Sequence, residues 1–473
     1  MATRIHVSPS MRLFPVIAAA TCLLGACGES AKMRSETGYG PDPPLPEPVA
    51  TLIPTVRIAP ARPWQGSQQP TAAPGTTVRQ FAGQLDHPRW LHVLPNGDVL
   101  VAETNAPDRP LRDELLGLKG IVMGMVMSRA GAATPSANRL TLLRDSDGDG
   151  SADVKSVFLE NLNSPFGMAL VDGELFIANT DAIVKVPYRR GDTRASGPVT
   201  KVADLPGGPL NHHWTKGLLA SRDGSRLYVS VGSNSNVAEH GMEHEKGRAA
   251  IWEFDRTGGA GRVFASGLRN PVGMAWHGDA LWTSVNERDE LGSDLVPDYM
   301  TSVRDGGFYG WPYSYFGQKV DTRPKPPRPD LVASAIVPDY ALGNHTSSLG
   351  LASAQGNTLG GPFSDSGMFV GQHGSWNRDP PSGYKVVYVP FRGAQPSGKP
   401  IDVLTGFLDA DGRALGRPVG VAIDRQGALL VADDVGNAIW RVEGLARSGT
   451  TGATPGAPPV MATAPAASVP RPP

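Results

Sequence analysis

Cysteine is nearly missing from this chain: of 473 residues only Cys22 and Cys27 carry a thiol. Both precede residue 28, so the remainder can form neither a disulfide nor a thiolate metal centre. A surplus charge of one sign is missing too. The 44 Lys and Arg stand against 45 Asp and Glu, a formal net charge of -1, which offers no basic field for nucleic acid. The apolar run Leu13 to Leu24 (LFPVIAAATCLL) is too short to span a bilayer, but behind Arg4 and Arg12 it suits a secretory h-region. Helical periodicity is sparse, and 57 Gly and 44 Pro argue further against a helix-containing α/β fold.

What is present divides the chain. Residues 1–26 read as a lipoprotein signal peptide, because Leu24-Gly25-Ala26-Cys27 resembles the bacterial lipobox, in which Cys27 is lipidated and becomes the first residue. Cleavage near Ala26 by an ordinary signal peptidase is the alternative. Either way the protein is expected to be exported, on the periplasmic side of a bacterial membrane and touching it through the lipid alone. Gly28 lacks the Asp that retains some lipoproteins at the inner membrane, which leaves the outer membrane open as a destination. Residues 27–75, rich in Pro, Ala and Thr, are expected to be a tether. Residues 76–446 form the folded unit, and the Pro/Ala-rich tail 447–473 is expected to have no fold.

Within the folded unit one phrase recurs: two short alternating runs joined by a tight turn. It reads WLHVL-PNG-DVLVAET from Trp90, GMAL-VDG-ELFIANT from Gly167 and LLAS-RDGS-RLYVSVGSN from Leu218. It continues as GMAW-HGD-ALWTSVNE from Gly273, a degenerate copy from Gly350 that resumes at Gly367, and GVAI-DRQG-ALLVADD from Gly420. Period-two hydrophobicity around Asn-Gly or Asp-Gly is a hairpin signal. Units this long suit radial blades, so the fold expected is an all-β, six-bladed β-propeller around a channel.

Because a hairpin returns to its starting edge, the residues before each first strand and after each second strand should gather at one mouth. Asp86, Asn163, His213, Arg269, Thr346 and Gly416 share one repeat position; His87, Ser164, Trp214, Asn270, Ser347 and Arg417 share the next. His212 and His213 offer an imidazole base near neutral pH, against the plainer reading of a rim histidine in a loop hydrogen bond. Arg269 suits an anionic or quinonoid oxygen, and Arg378, Lys385 and Arg417 offer further cations on the rim. Asp145 to Asp153 (DSDGDGSAD) places Asp145, Asp147, Asp149 and Asp153 at positions 1, 3, 5 and 9, with Gly at 6, as calcium loops do; a structural calcium loop joining two blades is expected, an acidic turn being the alternative. NERDELGSDLVPD, from Asn286 to Asp298, is a second acidic stretch able to hold calcium or merely to be solvated.

GLRNPVGMAW, NERDELGSD, DGGFYGWP, the histidine before WTKG, and FVGQHGSWNR together resemble the glucose/sorbosone dehydrogenase family, over about Phe81 to Val442. Its members are exported six-bladed propellers that use pyrroloquinoline quinone (PQQ) and calcium and include aldose sugar dehydrogenases; the HWT and QHGSWNR phrases resemble the sorbosone branch. The resemblance implies that His213 removes the substrate hydroxyl proton while hydride passes to PQQ, that Arg269 stabilises the developing oxyanion, and that Asn270, with Arg378, Lys385 and Arg417, contacts the cofactor. It also implies that the backbone carbonyls of Arg288 and Asp289 bind calcium, with Asp294 supporting the loop. Lys119 to Met127 (KGIVMGMVM) stands where the family's glutamine-rich cofactor loop would be. The implied substrate is an aldose or related aldehyde or alcohol, with electrons passing on to an external quinone or cytochrome. Two other readings remain open: a calcium-dependent propeller lactonase or esterase, and a non-catalytic lipid-anchored binding propeller.

Overall fold

The computed structural model describes residues 28–49, 55–107, 129–131 and 134–445. The signal peptide, Cys27, the loop Lys119 to Met127 and the tail lie outside the described residues. Six sheets follow one another along the chain, antiparallel but for one short parallel pairing at the edge of the third. Blade one is Pro88–Val93, Val99–Glu103, Arg139–Arg144 and Val154–Leu159; blade two is Met168–Val171, Glu174–Ala178, Ala182–Pro187 and Thr200–Asp204. Blade three begins with Leu218–Ala220 and Arg226–Val231, blade four with Pro271–His277 and Ala280–Val285, and blade five with Ser348–Ser353 and Gly367–Gln372. Blade six takes Pro418–Ile423, Leu429–Asp433 and Ala438–Gly444 from the end of the chain and Thr76–Ala82 from its beginning. This last pairing closes a six-bladed propeller.

The recurring glycine of the repeat has a packing reason. A Cβ on Gly167 would lie 2.1 Å from the Leu218 amide, and one on Gly217 2.4 Å from the Val272 carbonyl. On Gly273 it would meet the Leu349 carbonyl at 2.6 Å, on Gly350 the Val419 carbonyl at 2.0 Å, and on Gly420 the Arg89 carbonyl at 2.8 Å. Each first strand thus presses its backbone against the first strand of the next blade, in the order two, three, four, five, six, one. Only a residue without a side chain fits there.

Apolar cores fill the wedges between blades, pairing Leu142 with Ile177, Phe176 with Val229, Ile251 with Tyr299, Met300 with Val370, Phe369 with Val431, and Leu430 with Val101. At the hub Phe166, Trp214, Val272, Leu349 and Val419 form a seventh cluster. The centre expected as a channel is therefore filled below the mouth, because blades two, four, five and six place a bulky apolar residue just before the repeat glycine and blade three contributes Trp214. This cluster is the floor of a cup.

The segment expected as a tether lies on the propeller instead. Tyr39–Gly40 pairs with Leu342 and Ala341 and widens blade four; Thr71–Ala72 pairs with Thr405 and Leu404 and widens blade five. Between them Trp64 donates its indole Nε1–H to Asp433 at 2.7 Å and packs edge-on against Phe407 and Trp440. Proline keeps such a segment extended, and an extended chain with free amides can add to a sheet edge.

Candidate active site at the propeller mouth

The register places the sequence's marked residues on one edge. Pro88 faces Glu103, Pro271 faces Val285, Ser348 faces Gln372 and Pro418 faces Asp433. Residues before the first strands and after the second strands therefore share the mouth.

His213 and Asn270 flank Gly232, where a Cβ would come within 2.5 Å of the His213 Cβ and 2.3 Å of the Asn270 Oδ1. The His213 Nδ1 is 2.9 Å from the Ser233 carbonyl and 3.0 Å from the Ser233 hydroxyl, which itself donates to the Ser235 carbonyl at 2.6 Å. Both neighbours accept, so Nδ1 carries the proton and Nε2 keeps its lone pair. Burial, and then the charge of Arg269, push the imidazole well below its ordinary pKa. His213 is a neutral base in a fixed tautomer. His212 is exposed and sets its ring edge-on to His213, centroids 4.7 Å apart.

Arg269 is 2% exposed, and every nitrogen of its guanidinium is engaged. Its Nε donates to the Asn236 carbonyl at 3.2 Å, Nη1 to the Glu287 carbonyl at 2.7 Å and the Asn286 carbonyl at 3.2 Å, and Nη2 to the Asn236 Oδ1 at 3.1 Å and the Asp289 carboxylate at 3.2 Å. The fork expected to meet a cofactor oxygen is filled by the protein, so what Arg269 projects into the mouth is its charge. Asn236 is the residue that sequence reading missed. Its Oδ1 also accepts from the Asp289 amide at 2.8 Å, and its Nδ2 donates to the Asp289 carbonyl at 3.2 Å.

That carbonyl was expected to bind calcium. It takes Nε and Nη2 of Arg288 at 3.0 and 2.6 Å as well as Asn236, and donors occupy the position a cation would need. Arg288 in turn pairs with Asp321. Asp294 is likewise engaged, its carboxylate accepting from the amides of Lys32 and Met33 at 2.7 and 3.0 Å. At the Asp289 carbonyl and the Asp294 carboxylate the acidic loop does not fit calcium.

The remaining cations part company. Arg378 donates to the Met33 and Pro380 carbonyls, both at 2.8 Å, and so holds the N-terminal segment. Lys385 reaches outward to Asp402 at 2.7 Å and lies over the Tyr39 ring, away from His213. Arg417 donates to the Ala59 carbonyl at 3.0 Å and lies 4.9 Å over the Tyr384 ring, but its Nε is buried without a partner. A second missed group surrounds Asp434: Arg89 at 2.9 Å, His373 at 2.9 Å and His87 at 3.5 Å, with Arg89 also 5.7 Å over Trp214. Burial alone would raise the Asp434 carboxyl, yet His373, His87 and Arg89 hold it well below the carboxylate range. The buried orphan donors Arg89 Nε and Arg417 Nε fit an anionic guest of the kind PQQ is, and the orphan acceptor Asn270 Oδ1 fits an N–H or O–H upon it.

Asp145, Asp147 and Asp149 bring one carboxylate oxygen each within 4.8 Å of one another, as a calcium loop requires. Asp153 turns away to Ser146, at 2.8 Å. The loop joins the third and fourth strands of blade one rather than two blades, because the strands on either side of it, Arg139–Arg144 and Val154–Leu159, pair with each other. It thus lies at the edge opposite the mouth, beside a cleft of about 410 Å³ lined by Asn96, Asp98, Asp145 and Arg441.

A sequence profile of the TrAA12-like family matches residues 136–302 and 332–444. A protein of unstated function from Borreliella burgdorferi is 28% identical over 298 residues, 60% of this chain and 76% of its own. The pyrroloquinoline quinone-dependent pyranose dehydrogenase of Coprinopsis cinerea is 28% identical over 223 residues, 38% of this chain, and the match spans only 30% of that enzyme. The holo structure of the PQQ domain of the Coprinopsis cinerea pyranose dehydrogenase superposes with a TM-score of 0.62 at 21% identity, over 82% of this chain and 100% of that one.

Proposed function

The chain belongs to the TrAA12-like family, and we propose that it is an exported quinoprotein dehydrogenase that oxidises an aldose sugar or a related, sorbosone-like aldehyde or alcohol with PQQ. The observation that carries this reading is the base: an imidazole at the mouth whose tautomer is fixed by Ser233 and whose neutrality is held by burial and then by the charge of Arg269.

PQQ, when bound, would supply a quinone that accepts the hydride leaving the substrate carbon, and with it the two electrons of the oxidation. Asn270, Arg89 and Arg417, each with a buried, unpaired polar atom, would hold it. Nε2 of His213 takes the proton of the substrate hydroxyl as its C–H bond weakens, and the Ser233 carbonyl steadies the imidazolium through Nδ1–H. Arg269, held by Asn236, places a positive charge where negative charge develops. The apolar floor of Phe166, Trp214, Val272, Leu349 and Val419 keeps water from the underside of the cup.

The test is reconstitution. Purified apoprotein with PQQ added should reduce an artificial dye on a panel of aldoses and sugar aldehydes, and should show no such turnover without PQQ. Hydrolysis of lactones in its absence would overturn the reading in favour of a hydrolase; saturable PQQ or sugar binding with no turnover would leave a binding propeller.

A further inference from the structure

The N-terminal segment is fixed from its first described residue, and it is fixed at the mouth. A Cβ on Gly28 would lie 2.8 Å from the Thr55 Cα. The Glu29 carbonyl accepts from the Ser293 hydroxyl at 2.6 Å, and the Ala31 amide donates to the Asp379 carbonyl at 2.7 Å. Lys32 and Met33 donate their amides to Asp294, and the Met33 carbonyl accepts from Arg378. Ser293 and Asp294 stand in the loop that follows the second strand of blade four, where Asp289 also holds Arg269. Arg378 and Asp379 stand in the corresponding loop of blade five. Both loops belong to the mouth.

Cys27 is one peptide bond from Gly28, about 3.8 Å between Cα atoms. A lipid on Cys27 therefore leaves the protein on the face that carries His213, with no free tether between the two. The surface around that point suits a headgroup layer. The Lys32 and Arg57 side chains are 77% and 58% exposed, and Arg34 is exposed beside them. Large apolar side chains stand out of the same face: Trp376, whose carbonyl accepts from the Arg57 amide, Val56 next to it, and Met242 in the mouth loop of blade three. Acidic groups are present too, Asp379 beside Arg57 and Glu36 beside Ser35, so the patch is mixed rather than uniformly basic. An acyl anchor with adjacent cations and an interfacial tryptophan is the combination that holds a protein against an anionic bilayer.

We propose that the mouth of the propeller faces the membrane that carries the Cys27 lipid, with Trp376, Val56 and Met242 at the level of the headgroups. This rests on the lipoprotein signal expected from the sequence around Cys27 and is independent of the sugar chemistry. After removal of the leader, Cys27 is the one cysteine left, and acylation consumes its thiol, so single introduced cysteines can be labelled cleanly. Trp376→Cys lies at the mouth; Asp279→Cys lies in the turn Gly278-Asp279 at the opposite edge of blade four. Each full-length lipidated variant, carrying a polarity-sensitive dye, is inserted into vesicles of phosphatidylethanolamine and phosphatidylglycerol containing brominated lipid. Quenching at 376 is expected to exceed that at 279 several-fold, and Met242→Cys should behave like 376 if the tryptophan variant folds poorly. Equal quenching, stronger quenching at 279, or an unacylated Cys27 by mass spectrometry overturns the proposal. Loss of PQQ-dependent dye reduction would leave the quenching pattern unchanged and would count against the enzyme reading alone.

Discussion

His213 and Arg269 are held by the same residue: the carbonyl of Ser233 accepts from the His213 Nδ1 at 2.9 Å, while its amide donates to the Arg269 carbonyl at 2.8 Å. The base and the charge that keeps it neutral thus cannot drift apart without breaking a residue of blade three away from blade four. His213→Ala should lower turnover by roughly 10²-fold or more, since the proton would then pass to water. His213 is a half-buried loop residue with one ring nitrogen bonded, so the melting temperature should stay close to that of the unaltered protein. Dye-reduction kinetics and a melting curve check both; retained turnover removes His213 from the role of base.

Asn236 should matter although it touches no reacting atom. Asn236→Ala takes one of two partners from the Arg269 Nη2, one of three donors from the Asp289 carbonyl, and the partner of the Asp289 amide, and leaving such an amide unpaired costs about 1–3 kcal/mol. Turnover should fall roughly tenfold or more as the guanidinium loses its position. Asn236→Asp separates positioning from mere stability. A carboxylate beside Arg269 offsets part of the field that depresses His213, so the imidazole protonates more readily and the loss of rate on acidification begins at a higher pH. A pH–rate profile unchanged from the unaltered protein would remove the electrostatic link.

Asp434 serves the hub in a different way. At neutral pH burial keeps His87 and His373 uncharged, His87 down to about 4, so Arg89 is the full charge facing this carboxylate. Asp434→Asn leaves Arg89 buried without its counter-ion and weakens the bond to His373, a change expected to destabilise the protein by about 3–5 kcal/mol. Urea denaturation measures it. The unaltered stability would mean that the cluster is solvated in solution and does not tie blades one, five and six together.

The blades were legible in the sequence because each repeats a two-residue period around a turn, and the repeat also predicts which residues share the mouth. His213, Arg269 and Asn270 fall together for that reason. What the pattern does not carry is side-chain direction. Arg378, Asp294 and Arg417 lie near the rim, but each is drawn to the N-terminal segment, whose proline-rich composition gives no sign that its backbone will dock. Asn236 lies two residues past the repeat in a loop of no regular period, and only the folded ring brings it to Arg269. Asp434 and His87 do occupy repeat positions equivalent to the marked ones, a signal that pointed to the cluster without showing that one carboxylate serves an arginine and two imidazoles.

Lys216 supplies a test of the packing between blades two and three. It is fully buried, and its ammonium makes one hydrogen bond, to the Trp214 carbonyl at 3.1 Å, which also accepts from the Thr180 hydroxyl. Burial, followed by repulsion from Arg248, pushes its pKa well below the ordinary lysine value. A depressed folded-state pKa means that the unfolded chain binds the extra proton, so as pH falls below about 10.5, the unfolded value, this residue increasingly favours unfolding. Lys216→Met keeps the length of the side chain, removes the ammonium and loses one hydrogen bond. Its expected outcome is a gain of roughly 1 kcal/mol or more at neutral pH, together with a shallower rise of stability between pH 7 and 10. Melting temperatures of the two proteins across that range decide it: parallel curves would show that the buried amine reaches water or an anion in solution, and a loss of stability that its hydrogen bond outweighs its burial.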